Sequence, residues 1–182
     1  PGPARRDVPA VPVAATPPPS APPAPPPPPW SARRSTLAAV CVVVAAVAAY
    51  VQTLTYGFTL DDMPLITDNT LIDSLRNVPR LFTLYFGNYK PGTDFPHTLY
   101  RPLTAVTFAT DFALYKLNAS GFHLTNMALH AVASLLLFLM VRDVFGHLAM
   151  AAIAGVLFAV HPIHTEAVSG VIGRADVMSL LG

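Results

Sequence analysis

The sequence is short of charge. Asp, Glu, Lys and Arg make up 12% of its 182 residues, against about 25% in ordinary soluble domains. With 53% hydrophobic residues, that shortage excludes a soluble globular domain. Cysteine is nearly missing. Cys41 is the single one, so no disulfide closes within the chain, and the redox compartment is not readable from it. No block of basic residues occurs and the net charge is +1, so nothing points to nucleic acid. There is no initiator methionine, and residues 178–182 end the sequence as an apolar run begins. The expectation is a piece of a longer polytopic membrane protein.

Proline is abundant, but in one place. Residues 1–30 hold 14 of the 20 prolines, including Pro25 to Pro29. Such a stretch buries no core and is expected to be polyproline-II or disordered. A plain solvated tail over residues 1–34 is favoured over a ligand for proline-recognition modules. Residues 35–60 then contain no Lys, Arg, Asp or Glu, and a bilayer core needs about 20 apolar helical residues to cross it. Arg33 and Arg34 precede this run, which places the tail on the cytoplasmic side. An uncleaved signal anchor is favoured over a cleaved signal peptide, because the run exceeds the usual signal core and further spans follow.

Spans are expected at about 37–56, 124–141 and 147–162, within a membrane domain of residues 35–182. Between the first two lies an external segment, 57–122, rich in polar turns at residues 61–64, 67–70 and 90–94. Within it, residues 74–86 read as a short interfacial helix. Residues 103–117, interrupted by Asp111, read as a juxtamembrane helix. Asn118-Ala119-Ser120 is a formal glycosylation sequon, a pattern that arises often by chance. Counting crossings gives outside at Asp61, inside at Arg142 and outside again from His161. The parity alone puts Asp61-Asp62 and the polar block 161–176 on one face. The fold class is all-α, a polytopic helical bundle.

Three groups of residues carry possible chemistry. Asp61-Asp62, just past the first span, is either turn chemistry or a general base or metal-binding carboxylate at the membrane surface. Arg101 precedes Pro102 and an apolar helix. A guanidinium there either forks a phosphate or snorkels as an interfacial anchor. The densest block runs His161-Pro162-Ile163-His164-Thr165-Glu166, then Gly173-Arg174-Ala175-Asp176. Ionisable residues at such a depth default to a functional hypothesis. A metal site is disfavoured, because helical zinc pairs sit at i, i+4 and Pro162 disturbs the helix. Phosphate or sugar binding fits better, and hydrogen bonding between helices is the structural alternative. His123, Asn126 and His130 share one helical face and are expected to pack helices together.

Taken in order, Asp61-Asp62, Arg101-Pro102-Leu103, Phe122-His123-Leu124-Thr125-Asn126 and the two motifs of the 161–176 block resemble the TMTC family. Those are transmembrane, tetratricopeptide-repeat O-mannosyltransferases. The resemblance covers about residues 50–182. It implies a GT-C glycosyltransferase fold with its active site on the lumenal or periplasmic side, in the endoplasmic reticulum or the bacterial inner membrane. It implies a polyprenyl- or dolichyl-phosphate-linked sugar, usually mannose, and a Ser or Thr hydroxyl of a protein acceptor. By this resemblance Asp61 and Asp62 are catalytic, and Arg101 contacts the donor phosphate. The later spans and the repeat domain of the family are absent from the sequence, and the proline-rich tail is no part of its pattern.

The expected reaction is therefore inverting sugar transfer. One aspartate takes the acceptor proton, and Arg101, Arg174 and His161 or His164 stabilise the phosphate leaving group. Glu166 and Asp176 complete the donor site, and the lipid tail lies along the spans. No cofactor is expected, a divalent metal being the alternative. The rival functions are a non-catalytic anchor for a C-terminal repeat scaffold and a transporter.

Overall fold

The computed structural model describes residues 30–83 and 100–181. The prolines of 1–29 and the turn at 90–94 lie outside the described residues. All regular structure in the described residues is helical. Helix α1 (Ala32–Tyr50) continues as a 3₁₀ turn, Val51–Thr55. A short π turn, Met63–Thr67, a 3₁₀ turn, Leu75–Asn77, and a one-turn helix, α2 (Val78–Leu81), follow. Then come α3 (Pro102–Tyr115), α4 (Ala119–Phe145), α5 (Leu148–Val160), α6 (Thr165–Ser169) and α7 (Arg174–Ser179).

Local chemistry sets these boundaries. Ser31 caps α1 by accepting from Arg34 N (3.4 Å). Ala32, Arg33 and Arg34 are therefore helical rather than part of the tail. Pro102 opens α3, where its missing N–H and fixed φ are harmless. Asn118 caps α4 through Ser120 N (3.2 Å). Gly146 ends α4 at φ +66°, a left-handed C-cap that glycine adopts without steric cost.

The apolar run 32–55 and α4 are each long enough to cross a membrane; α5 is not, by itself. Its 13 residues span roughly 20 Å at about 1.5 Å per residue. It passes only together with the helical stretch Pro162–Ser169, bent from it by 44°. The expected third span at 147–162 is thus a short helix followed by a bend at His161-Pro162. Helix α4 is longer than expected at both ends.

α1, α4 and α5 form a three-helix bundle. Val42, Phe138 and Ala151 make one buried layer, and Ala46, Ala131 and Ala159 another. Small residues bring the backbones close, which is how helices associate where lipid is as apolar as the side chains. Gly155 marks a close approach: a Cβ there would lie 2.9 Å from Val42 Cγ2 and 3.0 Å from Phe138 Cβ.

At the other end of α1, the segment between α1 and α4 has a core of its own. Leu65, Ile66, Leu71 and Ile72 pack against Ala105, Phe108 and Ala109 of α3, Phe122 of α4 and Val171. The sequence Thr67-Asp68-Asn69-Thr70, expected as a polar turn, is part of this fold. Asn69 is buried, donating to Leu65 O (3.0 Å) and accepting from Leu71 N (3.0 Å). The helix expected over 74–86 is shorter, ending at Leu81.

Candidate active site

The two adjacent aspartates have opposite environments. Leu60, directly before them, is held at φ +39°, a region that costs a non-glycine residue about 1–3 kcal/mol. The turn leads into the two aspartates, of which Asp61 is exposed and Asp62 buried. Asp62 is 3% exposed. Its Oδ2 accepts from Thr59 N and its Oδ1 from Ile172 N, both at 3.1 Å. It therefore closes its own loop and ties it to the α6–α7 connection 110 residues away. Asp61 is exposed and keeps its carboxylate toward open space.

That space is a cavity of about 230 Å³ shared by Asp61, Asp62, Arg101, Glu166, Gly173 and Asp176. Five of the eight residues expected at the site meet there. Arg101 arrives on the residue before α3, Glu166 on the first turn of α6 and Asp176 on the first turn of α7. The turn carrying Gly173 lies against α6: a Cβ on Gly173 would be 2.6 Å from Glu166 O and from Ala167 Cα. Two larger hollows adjoin the cavity. One, of about 420 Å³, shares Arg101 and Asp176 and is walled by Leu103 and Met178. The other, of about 390 Å³, shares Glu166 and Asp176 and contains His130 and His164. Glu166 and Asp176 thus stand between the Asp61 side and the histidine side.

The remaining expected residues lie elsewhere. His164 is half-buried, 4.3 Å from the Phe158 ring and 5.3 Å from that of His130. It faces the second hollow and not Arg101. His161 is exposed at the bend; its Nδ1 accepts from Ile163 N (3.2 Å), and its carbonyl accepts from Tyr50 OH (3.3 Å). Arg174 departs most from expectation. It is 0% exposed and lines neither the cavity nor either hollow. Its Nε donates to Asn126 Oδ1 (2.6 Å), its Nη1 to Thr107 Oγ1 (3.1 Å) and its Nη2 to Phe122 O (3.0 Å). Its Nη2 also lies 2.6 Å from Asp111 Oδ2. A guanidinium so engaged is turned away from any ligand in the cavity, so Arg174 is not placed to contact a donor phosphate. Among the described residues, no group of three or more His, Cys, Asp and Glu is arranged to hold a metal ion.

No family model matches the chain, and no solved structure matches it. Curated proteins do. The chain is 42% identical over 132 residues to human protein O-mannosyl-transferase TMTC3, a match covering 72% of this chain and 14% of that protein. It belongs to the TMTC family. It is also 37% identical over 134 residues to Tmtc1 of Drosophila melanogaster (74% and 16% covered) and 38% identical over 135 residues to human TMTC2 (72% and 16%). The chain thus spans about one seventh of the length of the TMTC3 it matches. The apolar helices and these relatives together make it a membrane protein.

In this TMTC chain, the residue that sequence reasoning missed is Asp111. It reads as a charge interrupting an apolar helix. It is in fact the buried partner of Arg174 and accepts from Thr125 Oγ1 (2.8 Å). Burial pushes its carboxyl up, and Arg174 and Thr125 pull it back down. Burial likewise pushes the Arg174 guanidinium down, opposed by Asp111. The signal was present in the sequence, because a carboxylate inside an apolar helix calls for an opposite charge and Arg174 was available. His123, Asn126 and His130 do share a buried face, as expected. His130 Nε2 donates to Ala159 O (3.0 Å), and Asn126 Nδ2 donates to Gly170 O (2.9 Å).

Proposed function

We propose that the chain carries the catalytic carboxylates of a membrane glycosyltransferase. It transfers a sugar, mannose in this reading, from a polyprenyl or dolichyl phosphate to a Ser or Thr hydroxyl of a protein. Asp61 takes the proton of the acceptor hydroxyl. The freed oxygen attacks the anomeric carbon from the side opposite the phosphate. The bond from that carbon to the phosphate oxygen breaks, the sugar inverts, and the negative charge passes to the lipid phosphate beside Arg101. Fixed positive charge where negative charge develops usually lowers such a barrier more than any other single effect. The step needs no cofactor, since Arg101 supplies that charge. Asp62 is the positioning partner of the pair. The hollow walled by Leu103 and Met178 takes the first part of the lipid, and the whole site faces the lumen or periplasm.

The observation that carries this reading is the divergence of the aspartates: one carboxylate free in a cavity with an arginine, its neighbour bound on both oxygens to backbone N–H groups. A pair serving only a turn has no need of the free member. The names of the relatives support the reaction class. The test uses full-length protein, a lipid-phosphate mannose donor and a Ser/Thr peptide. Asp61→Asn should lower kcat by about 10²–10⁴-fold, the usual loss for a general base, with donor binding retained. Asp62→Asn should also lower the melting temperature, because a buried backbone N–H loses its acceptor at about 1–3 kcal/mol. Wild-type transfer per folded molecule in Asp61→Asn would end the reading and favour an anchor for a repeat scaffold.

A further inference from the structure

The Asp111–Arg174 pair sits behind the cavity, not in it. Its guanidinium touches two long elements at once: Asp111 and Thr107 on α3, and Asn126 and Phe122 O on α4. It lies over the Phe108 ring, with its carbon 4.5 Å from the centroid. Asn126 returns the connection: it accepts from Arg174 through Oδ1 and donates through Nδ2 to the carbonyls of Val168, Gly170 and Val171. The short segment 168–176 is therefore held at both ends by one polar cluster. Two of its members reach the cavity. Ile172, two residues before Arg174, gives its N–H to Asp62. Asp176, two residues after, lines the cavity wall.

A buried ion pair is a poor way to gain stability, since apolar packing of the same volume often does as well or better. What it supplies is direction. The guanidinium donors have a fixed planar geometry and accept few arrangements of their partners. α6 and α7, at five and six residues, are too short to hold their own positions.

We infer that Asp111, Arg174 and Asn126 form a positioning device for the Asp61 cavity, acting through the Ile172–Asp62 hydrogen bond and the placement of Asp176. The inference rests on the glycosyltransferase reading for its effect on rate, but the coupling itself is measurable without activity.

The experiment compares Arg174→Lys, Asn126→Ala and the mild Thr107→Val in full-length protein, each checked for wild-type expression and monodispersity. Thr107→Val removes one Arg174 contact at constant shape, so it should fold if the others do not. Two readouts are taken. Hydrogen exchange at the Ile172 amide should quicken in all three variants, most in Arg174→Lys, because an ammonium reaches Asp111 but not Asn126 and Thr107 together. With a lipid-phosphate mannose donor, kcat should fall about 10²-fold in Arg174→Lys, as expected for misplacement remote from the chemistry. KM for the donor should stay within about twofold. Loss of donor affinity with kcat preserved would overturn the inference and return Arg174 to the phosphate. Unchanged Ile172 exchange in folded variants would also overturn it. If wild-type protein transfers no sugar at all, the enzyme reading falls, and the exchange result still decides whether the cluster governs the Asp62 loop.

Discussion

At the scale of single residues, neighbours in sequence have become unlike in role because only one of them has backbone donors within reach. Leu60, in a left-handed conformation, leads into the pair; the Asp62 carboxylate accepts from Thr59 N and Ile172 N, and that of Asp61 from neither. Gly173 shows the same dependence on backbone geometry. Its turn lies so close to α6 that any Cβ meets Glu166 O and Ala167 Cα at 2.6 Å, both of them backbone atoms that cannot rotate aside. Gly173→Ala should therefore push α7 away from α6, at about the 1–3 kcal/mol typical of overpacking. The measurement is a lowered thermal midpoint of the detergent-solubilised protein. An unchanged midpoint would mean that the two helices are not in register as described.

At the scale of elements, two kinds of packing divide the molecule. The three-helix bundle of α1, α4 and α5 is held by small apolar residues and close backbones; the part around α3, α6 and α7 adds to its own apolar core the buried polar contacts around Asp62, Asn126 and Arg174. A substitution in the first should separate helices without touching the cavity. Gly155→Leu places bulk between Val42 and Phe138, where even a Cβ is crowded. The expected result is loss of bundle stability, read as unfolding at lower SDS fraction. Conversely, Ala149→Leu, on the first turn of α5 and exposed, should leave that SDS midpoint unchanged. Equal sensitivity at both positions would contradict the packing.

At the scale of the whole chain, Asp62 and the 161–176 block meet at one end of the bundle, while Arg142 donates to Ser35 Oγ (3.0 Å) at the other. Arg33, Arg34 and Arg142 share that second end, which the positive-inside rule assigns to the cytoplasm. With Cys41 replaced, a cysteine at the exposed Ile163 should react with an impermeant reagent from the lumenal or periplasmic side, and one at Asp143 only after the membrane is opened. The opposite pattern would place the Asp61 cavity in the cytoplasm, away from the proposed lipid-linked donor.

Much of this organisation is legible in the residues alone. Runs without charge announce spans because the hydrocarbon core admits apolar helices and little else. The parity of crossings predicts that Asp61-Asp62 and the 161–176 block share a face, and the hydrogen bond from Ile172 N to Asp62 brings the two segments together. The all-helical class and the α3 segment follow from the same apolar runs, and the buried face of His123, Asn126 and His130 follows from their helical spacing. The sequence does not decide which polar residue faces the cavity and which faces another residue. Asp61 and Asp62 are identical in type, and in sequence Arg174 is as free as Arg101. Arg101 sits before a helix at a cavity mouth, whereas Arg174 is surrounded by α3 and α4, which bring Asp111 and Asn126 from 63 and 48 positions away. Hydropathy is a local property that sequence carries one residue at a time. The pairing of charges depends on distances across the fold, and those arise only when the helices pack.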